Sequence, residues 1–204
     1  MTLDATLRKQ LLDLASLDHE TRAELATSGE LGAGYHPRMA AVHAENAEAL
    51  IRIIDATGWP GTSRVGDDGA NAAWLILQHA IANPALQKRC LPLIRQAVEN
   101  GEAPAHQAAY LEDRIACFER RPQKFGTQFD WDDNGEMSPL PLADDARVDE
   151  YRASVGLNSL AERTREIRSE LVNVNPPENR KEWRRQKRAW AESVGWIQHE
   201  MGED

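Results

Sequence analysis

Four helix-forming stretches each carry polar side chains on a face that should be apolar, and their types are those that move protons or hold anions. Asp18 and Arg22 extend the stripe set by Leu11 and Leu14, and His43 and Asn46 share a stripe with Met39, Leu50 and Ile53. Asn71, Trp74 and Gln78 share a third face, while His79 stacks under Leu75; Tyr110, Asp113, Arg114 and Cys117 form a fourth. A buried polar group is costly unless it is paired. Each of these is therefore locked into a structural network, the commoner fate of any one of them, or turned toward a ligand. Convergent polar groups are typical of functional pockets.

Imidazole titrates near neutral pH, which suits His79 or His43 to general acid/base work. Asp113 or Asp18 would orient the ring, and Arg22 or Arg114 would hold an anionic substrate group. Gln78 and Gln128 would fix an amide or carbonyl, with Asn46, Trp74 and Tyr110 completing the binding set. No Ser or Cys lies in a nucleophile motif, which disfavours covalent catalysis. The Gly58–Gly69 stretch lacks the Lys-Ser/Thr of a phosphate-binding loop, which argues against nucleotide hydrolysis. His19, His43, His79, Asp18 and Asp113 come nearest to a ligand set, but no HxxxH or HExxH spacing links them. Neither a metal nor another cofactor is expected. The favoured reading is a metal-independent acid/base enzyme acting on a small polar or peptidic substrate. The alternative is a non-catalytic small-molecule or peptide binding module with a protein-docking C-terminal helix.

The elements that must position these residues follow from periodicity and punctuation. Leu7, Leu11, Leu14 and Leu25 predict a helix over about 3–27, and a second runs from Pro37 to about Thr57, ended by Gly58 and Pro60. A rigid Gly58-Trp59-Pro60-Gly61 loop feeds a third helix over about 68–82. Asn83-Pro84 caps a fourth, which Asn100-Gly101 ends. A fifth covers about 104–120. Asn134-Gly135 signals a β-hairpin within 125–142, and short helices follow over 145–155 and 160–172. After Asn173-Val174-Asn175-Pro176-Pro177 comes a last helix. Trp183, Trp190, Val194 and Ile197 lie on one stripe of it, and Arg180, Lys181, Arg184, Arg185, Lys187 and Arg188 on the other. The fold class is mainly α: a helical-bundle-like domain over 1–172 with one hairpin, and an added amphipathic helix within 173–204.

The blocks Gly58-Trp59-Pro60, Gln78-His79, Tyr110-Leu111-Glu112-Asp113-Arg114 and Pro122-Gln123-Lys124-Phe125-Gly126-Thr127-Gln128 together resemble a widespread bacterial domain family of unknown function. The resemblance covers about residues 10–165 and leaves the C-terminal helix outside. Family members tend to carry Asp-Gln-x-x-Arg in the first helix, Asp-x-x-Asn in the second and His-Ala-Asp after the third. Here those places read Asp18-His19-Glu20-Thr21-Arg22, His43-Ala44-Glu45-Asn46 and His79-Ala80-Ile81. The resemblance implies a shared polar site and brings no established activity with it.

Composition narrows the partners. The 204 residues carry 28% charged side chains and a net charge of −9. That balance argues against general nucleic-acid binding and against an anionic membrane surface. No N-terminal basic region precedes an apolar stretch, and no apolar run reaches membrane-span length, so a cytoplasmic location is expected. Cys90 and Cys117 read as small core residues in a reducing compartment, without a disulfide. A homodimer contact through Trp183 and Trp190 is expected, because aromatic and Arg side chains favour interfaces.

Overall fold

The computed structural model describes residues 2–30, 35–171 and 174–197. Its described residues form eight helices and one antiparallel hairpin, a mainly α fold as the periodicity predicts. The chain divides into two compact units, Met1–Pro104 and Ala105–Asp204.

The first unit holds α1 (Ala5–Thr27), α2 (Pro37–Thr57), α3 (Thr62–His79) and α4 (Pro84–Glu99). Each start has a local cause. Asp4 accepts the Leu7 N–H, His36 Nδ1 accepts the Arg38 N–H ahead of Pro37, and Asn83 accepts the Leu86 N–H ahead of Pro84. Leu11, Leu25, Leu50, Val65, Ile76, Leu77 and Ile94 are buried in this unit. α1 packs on both α2 and α3, and Arg8 on α1 grips Asp68 on α3 through two parallel hydrogen bonds.

The loop before α3 is built for close approach. A Cβ on Gly61 would meet the Glu102 side chain at 2.6 Å. Glu102 occupies that space to accept the Ser63 N–H at 2.8 Å, doing the work of an N-cap for a helix whose own cap residue has no side chain. α3 departs from its expected range at both ends. It begins with a turn at Thr62 and breaks at Gly66, whose φ of 74° and ψ of 168° are open only to glycine, before continuing. It stops at His79 rather than near residue 82, so His79 stands on the last turn.

The second unit holds α5 (Ala105–Phe118), strands β1 (Phe129–Trp131) and β2 (Met137–Pro139), α6 (Val148–Ser154), α7 (Leu160–Glu170) and α8 (Arg180–Ser193). The strands pair antiparallel with Asp130 opposite Ser138. Asp132 accepts the N–H groups of Asn134 and Glu136 to close the expected Asn-Gly turn. α7 opens with a Ser159–Glu162 capping box. The C-terminal helix has partners inside this unit. Trp183 and Lys187 both reach Asp130, Arg184 pairs with Asp133, and Phe118 stacks on Trp196 and meets Trp190 at a tilt.

No described helix is long and apolar enough to cross a membrane. Both cysteines are free, and burial pushes each thiol up to about 12. At a pH of about 8 neither forms appreciable thiolate, which is the reactive species. Cys90, fully buried, is expected to resist alkylation in the native chain and to react once the chain is denatured; mass spectrometry of both samples checks this. Gly66→Ala is expected to destabilise the chain by about 1–3 kcal/mol, read as a lowered urea midpoint.

Candidate functional site

The polar side chains predicted from the sequence fall in both units, and in the first unit three of them meet. Asp18, on the inner face of α1, has no solvent exposure. Its Oδ2 lies 2.7 Å from Nδ1 of His79, at the end of α3, and 3.1 Å from Nε2 of His43, on α2. The His79 contact is a formed hydrogen bond. The His43 ring nitrogen is close but has no hydrogen bond of good geometry, and the second carboxylate oxygen, Oδ1, is buried with none at all. The two imidazole centroids are 4.9 Å apart. Burial alone pushes the Asp18 carboxyl up, but the ring nitrogens of His43 and His79 outweigh it and hold the carboxyl well below the usual carboxylate range.

Around this cluster sit residues that orient it. Tyr35, which the sequence pattern missed because it precedes the helix, places its hydroxyl 2.7 Å from His43 Nδ1 and stacks on the same ring. Burial and the Asp18 charge raise its phenol to about 12, so it stays protonated at neutral pH. Asn46, one turn after His43, donates to the Leu14 carbonyl at 3.1 Å and ties α2 to α1; its Oδ1 is buried without a hydrogen bond. Gln78 is buried and Trp74 half-buried on α3.

Arg22 departs from expectation. The four-residue spacing pointed to an inward Asp18–Arg22 ion pair, yet Arg22 is exposed and the partners of Asp18 are imidazoles from facing helices. A long guanidinium stem readily carries its charge back to water, whereas the short carboxylate stays where its backbone puts it. His19, next to Asp18 in sequence, is exposed.

In the second unit Asp113 is an anchor of the chain, which corrects its expected role as an orienter of imidazole. Its two oxygens accept the N–H groups of Lys124, Phe125 and Thr127 and the Thr127 hydroxyl, at 2.8 to 3.1 Å. Arg152, which the sequence pattern did not single out, binds the other side of the same loop. It is 1% exposed and donates to the carbonyls of Phe125, Gly126 and Asn158. Gln123 completes the clamp by accepting the Gln128 N–H and donating to the Gln128 and Leu140 carbonyls. The Gln128 amide donates to Thr127 Oγ1. Tyr110 is half-buried and meets His106 edge-on, and packing around Arg114 lowers its guanidinium to about 10, still charged at neutral pH.

The fold and site thus define a mainly α protein with a sealed carboxylate held between two imidazoles. The chain belongs to a family of unknown function, DUF6624, whose profile matches residues 5–171. That span runs from α1 to the end of α7 and leaves α8 outside. No curated protein and no solved structure matches the chain significantly.

Removing the Asp113 side chain takes the acceptor from three N–H groups, that of Phe125 buried and those of Lys124 and Thr127 part-buried, and a buried group left unsatisfied costs about 1–3 kcal/mol. Asp113→Ala is therefore expected to lose about 3 kcal/mol or more of stability, and Asp113→Asn, which keeps one acceptor oxygen, less. Urea denaturation of the three proteins checks the order.

Proposed function

We propose that this chain is a general acid/base enzyme acting on a small polar or peptidic substrate, with His79 as the proton carrier and Asp18 as the carboxylate that orients it. The observation that supports this reading most is the 2.7 Å contact between Asp18 Oδ2 and His79 Nδ1. An ionised acceptor at Nδ1 holds the proton there and leaves Nε2, across the ring, as the basic atom. His79 is 32% exposed while Asp18 is sealed. A substrate can therefore reach the imidazole without displacing the carboxylate that tunes it, the division of labour that makes a His–carboxylate pair an effective base.

His43 adds a second proton-carrying group 4.9 Å from the first, and Tyr35 fixes its ring. When His79 takes a proton, Asp18 is already ionised and stabilises the imidazolium at short range. Trp74 and Gln78, on the same helix as His79, are the candidate substrate contacts of this unit. The two free thiols fit the reducing cytoplasm.

A thermal-shift screen of the wild-type chain against metabolites and short peptides, followed by turnover assays on each stabilising compound, tests the proposal. His79→Gln is expected to retain binding of the hit and to lose about 10²–10⁴-fold in turnover. A hit that wild type binds but never converts, and whose affinity alone falls in the variant, would replace the enzyme with the non-catalytic binding module.

A further inference from the structure

We infer that Asp18, His43 and His79 form a binding site for one first-row divalent cation, with Zn2+ the best match. The three side chains come from three different helices, and one donor atom from each lies within 4.8 Å of the others. Zn–N and Zn–O bonds of about 2.0–2.2 Å at tetrahedral angles set donors roughly 3.3 Å apart. The observed separations from Asp18 Oδ2, 2.7 Å to His79 and 3.1 Å to His43, require only a small spreading of the donors to admit an ion.

The pattern of hydrogen bonding supports a cation at this place. Asp18 is fully buried, yet only one of its oxygens has a formed hydrogen bond, and Oδ1 has none. His43 Nε2, also buried, is directed at the carboxylate without making a hydrogen bond of good geometry. Asn46 Oδ1, one turn further along α2, is another buried acceptor without a donor. An orphaned buried carboxylate oxygen is expensive, and a divalent ion on the other oxygen of Asp18 compensates its charge over a short range.

The chemistry of the donors selects the ion. Two imidazoles and one carboxylate suit Zn2+ and its first-row neighbours, whereas Mg2+ and Ca2+ prefer an all-oxygen shell. Tyr35 engages the non-ligating nitrogen of His43, the outer contact that fixes a ligand's tautomer and ring plane. His79 ends α3, where the negative end of the helix dipole favours a cation. Three protein ligands and a partly exposed His79 leave a fourth position toward solvent, the arrangement of a zinc site that keeps an exchangeable water.

The ion takes the Asp18 Oδ2 and His79 Nδ1 positions that the orienting hydrogen bond occupies, so the loaded form and the acid/base form are alternative states of one site. The test is a calorimetric Zn2+ titration of the full chain after removal of metals with a chelator, with Co2+ visible absorption as a second readout. Wild type is expected to bind one ion per chain and to give the intense Co2+ bands of a four-coordinate site. Asp18→Asn and His43→Ala are expected to lose at least about 100-fold in affinity, and Tyr35→Phe about 10–100-fold. His106→Ala, outside the cluster, should bind as wild type does. Circular dichroism identifies any variant that fails to fold; Tyr35→Phe, which removes one hydroxyl, and the wild-type Co2+ spectrum still decide the matter. Absence of saturable binding by wild type, or wild-type affinity in a folded Asp18→Asn, would overturn the site. Because no substrate enters the measurement, that result would leave the acid/base reading standing, and loss of the acid/base reading would leave a measured zinc site intact.

Discussion

A carboxylate sealed from water must find its hydrogen bonds and its compensating charge inside the protein. Each unit of this chain contains one such group, and the two are satisfied in opposite ways. Asp113 receives backbone N–H groups and a hydroxyl on both oxygens, so nothing remains for it to bind. Asp18 has one hydrogen bond with His79 and the close approach of His43 on one oxygen, and no hydrogen bond on the other. The first arrangement is that of a completed structural joint. The second is charged, oriented, incompletely satisfied and partly open at His79, which is where chemistry becomes feasible.

The helices of the first unit are arranged around that demand. Asp4, His36 and Asn83 start them by local capping, and Glu102 starts α3 from forty residues away in sequence. The ion pair of Arg8 with Asp68 and the Asn46 bond to the Leu14 carbonyl hold α1 to α3 and α2. The Gly66 break lies between the Asp68 anchor region and the start of α3, so the turn that Glu102 caps and the helix that carries His79 follow separate paths. The result is a carboxylate on one helix facing imidazoles on two others.

In the second unit the polar residues serve the backbone. Asp113 holds N–H groups of the 124–127 segment, Arg152 holds its carbonyls from the other side, and Gln123 locks its ends to Gln128 and Leu140. Gly126, at a φ of 63°, is the point where the Leu160 side chain comes within 2.8 Å of where a Cβ would lie. The densest motif blocks of the sequence, Tyr110–Arg114 and Pro122–Gln128, therefore meet as one clamp. Their specificity as a pattern reflects the demands of a pinned loop, in which each donor and acceptor has an assigned partner.

The sequence alone made the local features legible. Periodicity placed the helices, Pro37 and Asn83-Pro84 marked two starts, and Asn134-Gly135 marked the hairpin, because caps and turns depend on residues within a few positions of each other. It also singled out Asp18, His43, His79 and Asp113 as polar groups on apolar faces. It did not determine their partners. The i+4 spacing favoured Arg22 for Asp18, while the actual partner His79 is 61 residues away, and no ligand spacing within one helix announces a set drawn from three. Asp113 and Asp18 read alike in the sequence, as inward carboxylates. Only the tertiary structure separated them, by bringing a loop's N–H groups to one and two imidazoles to the other, since the fate of a buried charge depends on what the facing elements present to it.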